Sequence, residues 1–468
     1  MRYALFTYEG DGLPIAHRLQ DEGHDVVVGM VHDPADIHPD GVRIPREDPL
    51  QHERRLALFD GMLEKLPAWD LVRQLEGRTG LSDHFVLFDR NHLFRFATVL
   101  APLGLAGNFP TEEDYLLEHR RDDAKAFVDR HYPKLKVAEV RRFSKVSEAR
   151  AFLKDSDELW VLKSGSDRGA TFLPDVDDAG LAAKQILQQL ESNRSGYEHA
   201  GFILEPMISS VVELTPERIY YDGEPIATTI DVENKPFGCG NVSIQTGCAQ
   251  DLVFPISDGE RICELAFPPV VAELARKRKG LFYWDASLLI DRRTRGIYFG
   301  EFCSNRPGFN SLFSEIAQCR SAHDYFASIS RGVSPFTLGT VGCSVTLFNP
   351  ATDREHRCLP PEGAPIEFKQ RAAPHLWLWD VKQAGGKLVS VGSDWNLGVV
   401  TGSGKAIEEA VREMYRCVDE FSFVGAYYRP RFDYLSLDYP TSIVNRLNYG
   451  LQRGLYQLPF NVQVGDLL

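Results

Sequence analysis

The sequence predicts an α/β protein of several domains. Apolar strand-like runs alternate with amphipathic helical stretches at both ends of the chain, and residues 211–310 are rich in strand-formers. The 468 residues are 43% hydrophobic and 25% charged, which excludes wholesale disorder. At roughly 100–200 residues per domain, the length suits two to four domains with full cores.

Residues 1–110 read as one open α/β domain. An apolar strand at 3–7 meets the turn Glu9-Gly10-Asp11-Gly12, an amphipathic helix runs to about Gln20, and DVVVGMV supplies a second strand. A Gly-rich turn between strand and helix can present backbone N–H groups to an anion, which makes Gly10 and Gly12 candidate substrate contacts. A tight turn that needs only flexible residues accounts for them equally well. Charged, loop-prone sequence fills 33–55, then HFVLF and the helical HLFRFATVLAPLG close the domain.

A second unit spans 111–205. Thr111 caps a Glu-rich first turn, and the helix continues through EEDYLLEHRRDDAKAFVDRHY. Strands near VAEVRRF and LWVLKSG follow, then the helix DDAGLAAKQILQQLES and the strand GFILEPMI. The third unit, 206–335, is strand-rich, with YYDGEP as a tight turn. The last, 336–468, alternates again through HLWLWDVKQ, GKLVSVGS, NLGVVTGSG and the helix KAIEEAVREMYRCVDEF. Its aromatic, Leu-rich tail after Tyr434 reads as a packed appendage.

Fifty-two Lys and Arg face 66 Asp and Glu, a net charge of −14. That balance argues against nucleic acid or an anionic membrane as partner, because neither attracts a negative surface. It leaves room for a small phosphorylated molecule in a local basic pocket. No run of eighteen apolar residues occurs, the start MRYALFTYEGDG lacks the shape of a signal peptide, and eight cysteines are scattered without a CxxC pair. A reducing cytoplasm is the expected location.

Three stretches carry chemistry. In FYWDASLLIDRRTRGIYFGEFCSNRPGFN, Asp285 sits on an apolar strand that turns through 292–296 into a second strand ending at Glu301. Acids on neighbouring antiparallel strands can face one way and share a divalent cation. With Asn305 as a neutral oxygen ligand and Arg306 as a fixed positive charge, the set suits Mg²⁺ on nucleotide phosphates. In WVLKSGSDRGATF, a strand delivers Lys163 to a small-residue loop bearing Gly165, Ser166 and Gly169, the arrangement of a hairpin lid over phosphates. It is not a Walker A loop, since no GK[ST] follows the glycines. In FILEPMISSVVEL, an apolar strand ends at Glu205; the segment Glu205, Pro206, Met207 and Ile208 can hydrogen-bond an adenine edge, with Glu213 placed for ribose hydroxyls.

In this order the pieces resemble the ATP-grasp superfamily. The resemblance implies an ATP-grasp fold between an N-terminal open α/β domain and a C-terminal α/β domain, with 111–205 as the small subdomain and 206–335 as the large one. Lys125 and Lys163 look like its two ATP-phosphate lysines and 165–171 like its phosphate-covering loop. The segment 205–208 is similar to its adenine hinge, Glu213 to its ribose acid, and Asp285 and Glu301 to its magnesium carboxylates. GEFCSNRPGFN is like the closing motif of D-alanine–D-alanine ligases.

Within the superfamily the chain most resembles the phosphoribosylamine–glycine ligase family of purine biosynthesis, over roughly residues 1–434. GLAGNFPTEEDYLLEHRRDDAKAF is similar to the start of its small domain. YYDGEPIATTIDVENKPFGCGNVSIQTG is similar to its strand pair and Gly-rich substrate loop, which places Gly238, Gly240 and Asn241 near the amino-acid site. GKLVSVGSDWNLGVVTGSGKAIEEAVREMYRCVDEFSFVGAYYR is similar to its C-terminal domain.

The resemblance implies an ADP-forming carboxylate–amine ligase that works through an acyl phosphate, with ATP and Mg²⁺ (or Mn²⁺) as cofactors and a small carboxylate and a small amine as substrates. Lys125 and Lys163 would hold the phosphates, and Arg306 would steady the acyl phosphate and tetrahedral intermediate. The chain departs from the family at three places. The first turn is GDGLPIAH where the family has Gly-Arg-Glu-His. Phe88-Asp89-Arg90-Asn91 replaces a Pro-Glu-rich loop. Cys303 stands where Asn is expected two residues after the glutamate, with Asn305 two further on. Either the strand bulges to present Asn305, or the metal has one protein ligand fewer. The first two departures fall where the family binds phosphoribosylamine, so a ligase joining an amino acid to a different amine in dipeptide fashion is the first alternative. A catalytically inactive nucleotide-binding relative is the second. Monomer and homodimer both stay open.

Overall fold

The computed structural model describes residues 1–39, 48–164, 171–174, 176, 178–208, 211–292, 294–349, 361–437, 439 and 441–458. The N-terminal sheet has five parallel strands in the spatial order Lys65–Pro67, Asp25–Met30, Arg2–Thr7, His84–Phe88, Ala106–Gly107. The central strand is apolar because it is covered on both faces, as parallel sheets require. The helix Leu13–Asp21 starts directly from the expected turn, with Pro14 in its first turn where a missing N–H costs nothing. Residues 33–55 are not all loop. Asp48 accepts from the N–H groups of Leu50 and Gln51 and so starts the helix Pro49–Ala57.

The capping box of Thr111 and Asp114 is present, but the long helix expected beyond it breaks at Arg120 into Glu112–His119 and Arg121–His131. The break turns the two helices to separate tasks: Glu118 meets Arg306, while Lys125 meets Glu205. Beyond it lies a four-stranded antiparallel sheet in the order Arg141–Phe143, Phe202–Pro206, Trp160–Ser164, Thr171–Phe172. Its apolar face packs Trp160, Leu162 and Leu204 against Val146, Ile186 and Leu190 of the covering helices. The boundary expected at 205/206 falls inside one of its strands.

The largest sheet has eight antiparallel strands, in the order Ile297–Ser304, Leu281–Asp291, Val211–Tyr221, Glu224–Gly238, Val242–Pro255, Val341–Phe348, Asn396–Gly404, Leu376–Leu378. It runs unbroken across the expected boundary at 335/336, so the third and fourth units share one core. The reason is local. Every residue of Val341–Phe348 is buried, and the strand pairs with residues 250–253 on one side and 396–404 on the other. The tail is likewise part of this core: Tyr434, Leu447 and Tyr456 are buried in it, and the helix Ile443–Gln452 packs on the strands Val211–Tyr221 and Glu224–Gly238. Among the described residues no helix is long and apolar enough to cross a membrane.

Candidate active site

A cavity of about 460 Å³ opens between the first turn of the N-terminal sheet, the face of the large sheet and the loop after the strand Leu376–Leu378. Nine carboxylates and four cationic side chains line it. The antiparallel register places Asp285 directly opposite Cys303, with Glu301 two residues before Cys303 on the same side of its strand. All three line the cavity. Asp285 is buried, its Oδ1 has no hydrogen-bond partner, and burial pushes its carboxyl up to about 7 while Arg306 opposes the rise. Glu301 is open to the cleft and accepts from Lys235 at 3.2 Å, which holds its carboxyl down to about 2.

Arg306 lines the same cavity, buried at the end of the motif strand. Its Nε donates to Glu118 Oε1 at 2.8 Å and Oε2 at 2.9 Å, and Asn91 Nδ2 donates to Glu118 Oε2 at 2.7 Å. Burial would raise the Glu118 carboxyl, but Arg306 holds it below its ordinary range. A guanidinium fixed in this way is aimed, charged and unable to swing aside.

The two expected phosphate lysines converge on one carboxylate. Lys125 Nζ donates to Glu205 Oε1 at 2.8 Å and Lys163 Nζ to Oε2 at 2.7 Å. Burial lowers Lys163 and Glu205 opposes it. Glu301 feels the positive charge of Lys163, and of Arg121, from the adjoining end of the cleft. The expected covering-loop residues Gly165, Ser166 and Gly169 lie outside the described residues.

Several expected roles change. Asn305 is not brought to Asp285 and Glu301. It adopts φ 52°, its Nδ2 donates to Phe109 O at 2.9 Å at the junction with the N-terminal sheet, and its Oδ1 is buried without a partner among the described residues, outside the lining of the cavity. The strand does bulge opposite Ser287, but Asn305 does not join the two acids in the lining of the cavity. Gly10 and Gly12 do not offer their N–H groups to a substrate: Gly10 N donates to Thr7 Oγ1 at 2.8 Å and Gly12 N to Asp89 Oδ2 at 3.0 Å.

Gly238, Gly240 and Asn241 form the turn between the strands Glu224–Gly238 and Val242–Pro255, away from the cavity. Gly240 and Asn241 take φ 82° and 55°, and the turn is claimed by the C-terminal segment, with Arg429 donating to Asn241 Oδ1 at 2.7 Å. In the expected adenine hinge, Pro206 pairs with Trp160 and the N–H of Met207 donates to Leu159 O at 2.8 Å, so Met207 is not the base donor; Ile208 follows at the end of the described segment. Glu213 accepts from Lys235 at 2.7 Å and from Ser287 Oγ at 2.6 Å, inside the charged network rather than apart from it.

Motif spacing does not point to Lys235, which bonds Glu213 and Glu301. The signal was the period of two in DVENK, which puts Asp231, Glu233 and Lys235 on one face of a strand. Arg90 and Glu118 were equally silent. Each works through a partner more than 70 residues away in sequence, Arg90 on Asp11 and Glu118 on Arg306.

An open parallel domain, a small antiparallel lid sheet and a large antiparallel sheet carrying paired acids make up the ATP-grasp fold, and this chain has that fold. No protein-family profile and no curated protein sequence matches the chain. Among solved structures, phosphoribosylamine–glycine ligase from Thermotoga maritima superposes with a TM-score of 0.60 at 14% identity, covering 92% of this chain and 99% of that one. The biotin carboxylase domain of 2-oxoglutarate carboxylase from Hydrogenobacter thermophilus, a dimer in complex with MgADP, ADP and bicarbonate, gives 0.56 at 11%, covering 100% and 98%. L-amino acid ligase from Bacillus licheniformis gives 0.51 at 13%, covering 92% and 99%. At these identities the likeness is one of fold.

Proposed function

We propose that the protein is an ATP-dependent, ADP-forming ligase that joins a small carboxylate to a small amine through an acyl phosphate. The observation that carries this reading is the convergence of two half-buried lysines on Glu205, with the charge of Lys163 reaching Glu301, which shares a cavity wall with Asp285 and the clamped Arg306. The acids fit a divalent cation: Asp285 Oδ1 is buried without a partner, and Glu301 stays ionised beside Lys235. Mg²⁺ held there would neutralise phosphate oxygens, and the nucleotide would have to complete its coordination.

The chain's own residues supply the rest. Lys125 and Lys163 exchange Glu205 for phosphate oxygens and hold the transferred group in line. Arg306 faces the carbonyl and stabilises the negative charge that builds there as the amine attacks, at no cost of reorganisation because Glu118 already fixes it. Lys235 keeps Glu301 charged and aimed.

The test is ADP and phosphate release on pairing candidate carboxylates with candidate amines, glycine and 5-phosphoribosylamine among them. Release that depends on both partners and vanishes in Glu301→Ala supports the reading. Measurable Mg·ATP binding with no ADP from any pair would instead support a catalytically inactive nucleotide-binding protein. Synthesis of a purine precursor follows only if phosphoribosylamine proves to be the amine, whereas Mn²⁺ in place of Mg²⁺ and a cytoplasmic location belong to the proposal whatever the amine is.

A further inference from the structure

A second cavity, of about 410 Å³, opens at the turn end of the hairpin that carries Asp285 and Glu301, and it shares no lining residue with the active-site cavity. Five cationic side chains line it. Lys134 and Lys136 follow the helix Arg121–His131, Arg261 begins the helix Arg261–Ala266, Arg295 lies in the hairpin turn, and Arg453 ends the C-terminal helix. Its one lining carboxylate is Glu264, which accepts from Lys134 at 2.7 Å. Among the described residues no carboxylate forms an ion pair with the other four cations. Like charges brought together from four stretches of chain repel one another, yet this chain of net charge −14 sets no further acid among them. Such a group attracts a counter-anion.

Two further observations distinguish the cavity from a scatter of surface lysines. The first is Lys136. Its N–H donates to Ile297 O at 2.9 Å and its carbonyl accepts from Phe299 N at 2.9 Å, which fixes its main chain to the edge of the large sheet. Its ammonium is held 5.6 Å from the centroid of the Tyr298 ring. A Cβ at Gly296 would lie 2.9 Å from that ring and 3.4 Å from the ammonium, so the glycine keeps open the space that both occupy. The second is Arg453. Its Nη2 donates to Arg295 O at 3.4 Å, and its buried Nε has no acceptor among the described residues. A guanidinium with one long bond to a carbonyl and an orphaned nitrogen has most of its donor capacity unspent, and an anion in the cavity would take it up.

We propose that this cavity binds a small oligophosphate, a molecule with two or three linked phosphate groups, at a site separate from the nucleotide cleft. The four unpaired cations match the charge of such a group, and the guanidinium forks of Arg261, Arg295 and Arg453 suit phosphate oxygens. Nucleic acid is the poorer match. Its backbone needs a stripe of cations to follow, whereas these converge on one cavity of an acidic chain. The proposal does not rest on the ligase reading, because the two sites have no residue in common.

The experiment is calorimetric titration of the full-length protein with inorganic triphosphate, and with citrate, inorganic phosphate and a short DNA duplex as comparisons. It is run in the Lys163→Met background, so that the nucleotide cleft does not compete. Triphosphate should bind at least tenfold more tightly than citrate or phosphate, and its affinity should fall as salt rises. Adding Lys136→Gln and Arg295→Gln, which neutralise two exposed side chains, should cost at least tenfold in triphosphate affinity while the melting temperature holds. Absence of triphosphate binding, equal or tighter binding of citrate or of the duplex, or triphosphate binding that is indifferent to the two added substitutions each overturns the proposal.

Discussion

Replacing Glu118 by Gln probes how far catalysis depends on a clamp that touches no substrate. The Glu118 and Arg306 side chains are 11% and 10% exposed, and the carboxylate accepts from the guanidinium through both oxygens. Glutamine preserves shape and one acceptor but removes the charge, so the loss is that of charge assistance, about 1.5–3 kcal/mol. Removing the partner altogether in Glu118→Ala would leave a buried guanidinium uncompensated, at about 3–5 kcal/mol. At 1.36 kcal/mol per tenfold, the Gln variant should lose about 10- to 150-fold in kcat. If Lys125 and Lys163 hold the nucleotide, as proposed, they do so independently of Arg306, so the affinity for an ATP analogue should stay within about twofold and the deficit should fall on kcat rather than on KM for ATP. Steady-state ADP release beside analogue titration measures both quantities. Wild-type turnover in Glu118→Gln, or an equal loss in nucleotide affinity, would refute the role given to the clamp.

Lys163→Met should weaken nucleotide binding by about tenfold or more, since the half-buried ammonium, here bonded to Glu205, would give a phosphate a charge-assisted contact worth about 1.5–3 kcal/mol, as titration with an ATP analogue would show. Glu315, buried and bonded to Thr229 and Tyr325, has its carboxyl pushed up to about 7 by burial. The folded chain therefore keeps that proton between roughly pH 4.5 and 7, where the unfolded chain has lost it. The contribution of this group falls by about 3 kcal/mol as pH rises through this window and levels off above it; unfolding free energies from urea titration at pH 5 and 8 should therefore drop by roughly that much less in Glu315→Gln than in the wild type. Gly342→Ala should destabilise by about 3 kcal/mol or more, because its Cβ would lie 1.9 Å from Ser314 O where a helix crosses the sheet; thermal melts or loss of soluble protein would register it.

The parts of this site that were legible in the sequence are those written in short-range pattern. Asp285 and Glu301 show themselves because a hairpin of apolar strands leaves few other places for two acids, and Lys163 and Glu205 because each ends an apolar run. Asn305, Gly10 and Gly238 were misread for a common reason: each stands at the right distance along the chain, but a turn's facing depends on what packs behind it. Phe109 O claims the Asn305 amide, Thr7 claims the Gly10 N–H, and the C-terminal segment covers the turn at 239–241. The domain boundary at 335/336 failed likewise. A change in local pattern marks where a strand begins, whereas the sheet that receives it is chosen by edges formed about 90 residues earlier.

The two departures at the N-terminal wall are physically one. Asp89 accepts the Gly12 N–H and so fixes the turn, Arg90 pairs with Asp11 of that turn, and Asn91 donates to Glu118 beneath Arg306. Three consecutive residues thus shape the turn, neutralise one of its acids and brace the reaction centre. Changing the turn alone would leave Arg90 facing the cavity without its carboxylate, and changing the loop alone would leave Asp11 uncompensated. Either state costs more than the pair does. A wall built this way resists single substitutions at either residue, because each step exposes a charge that the other residue was holding.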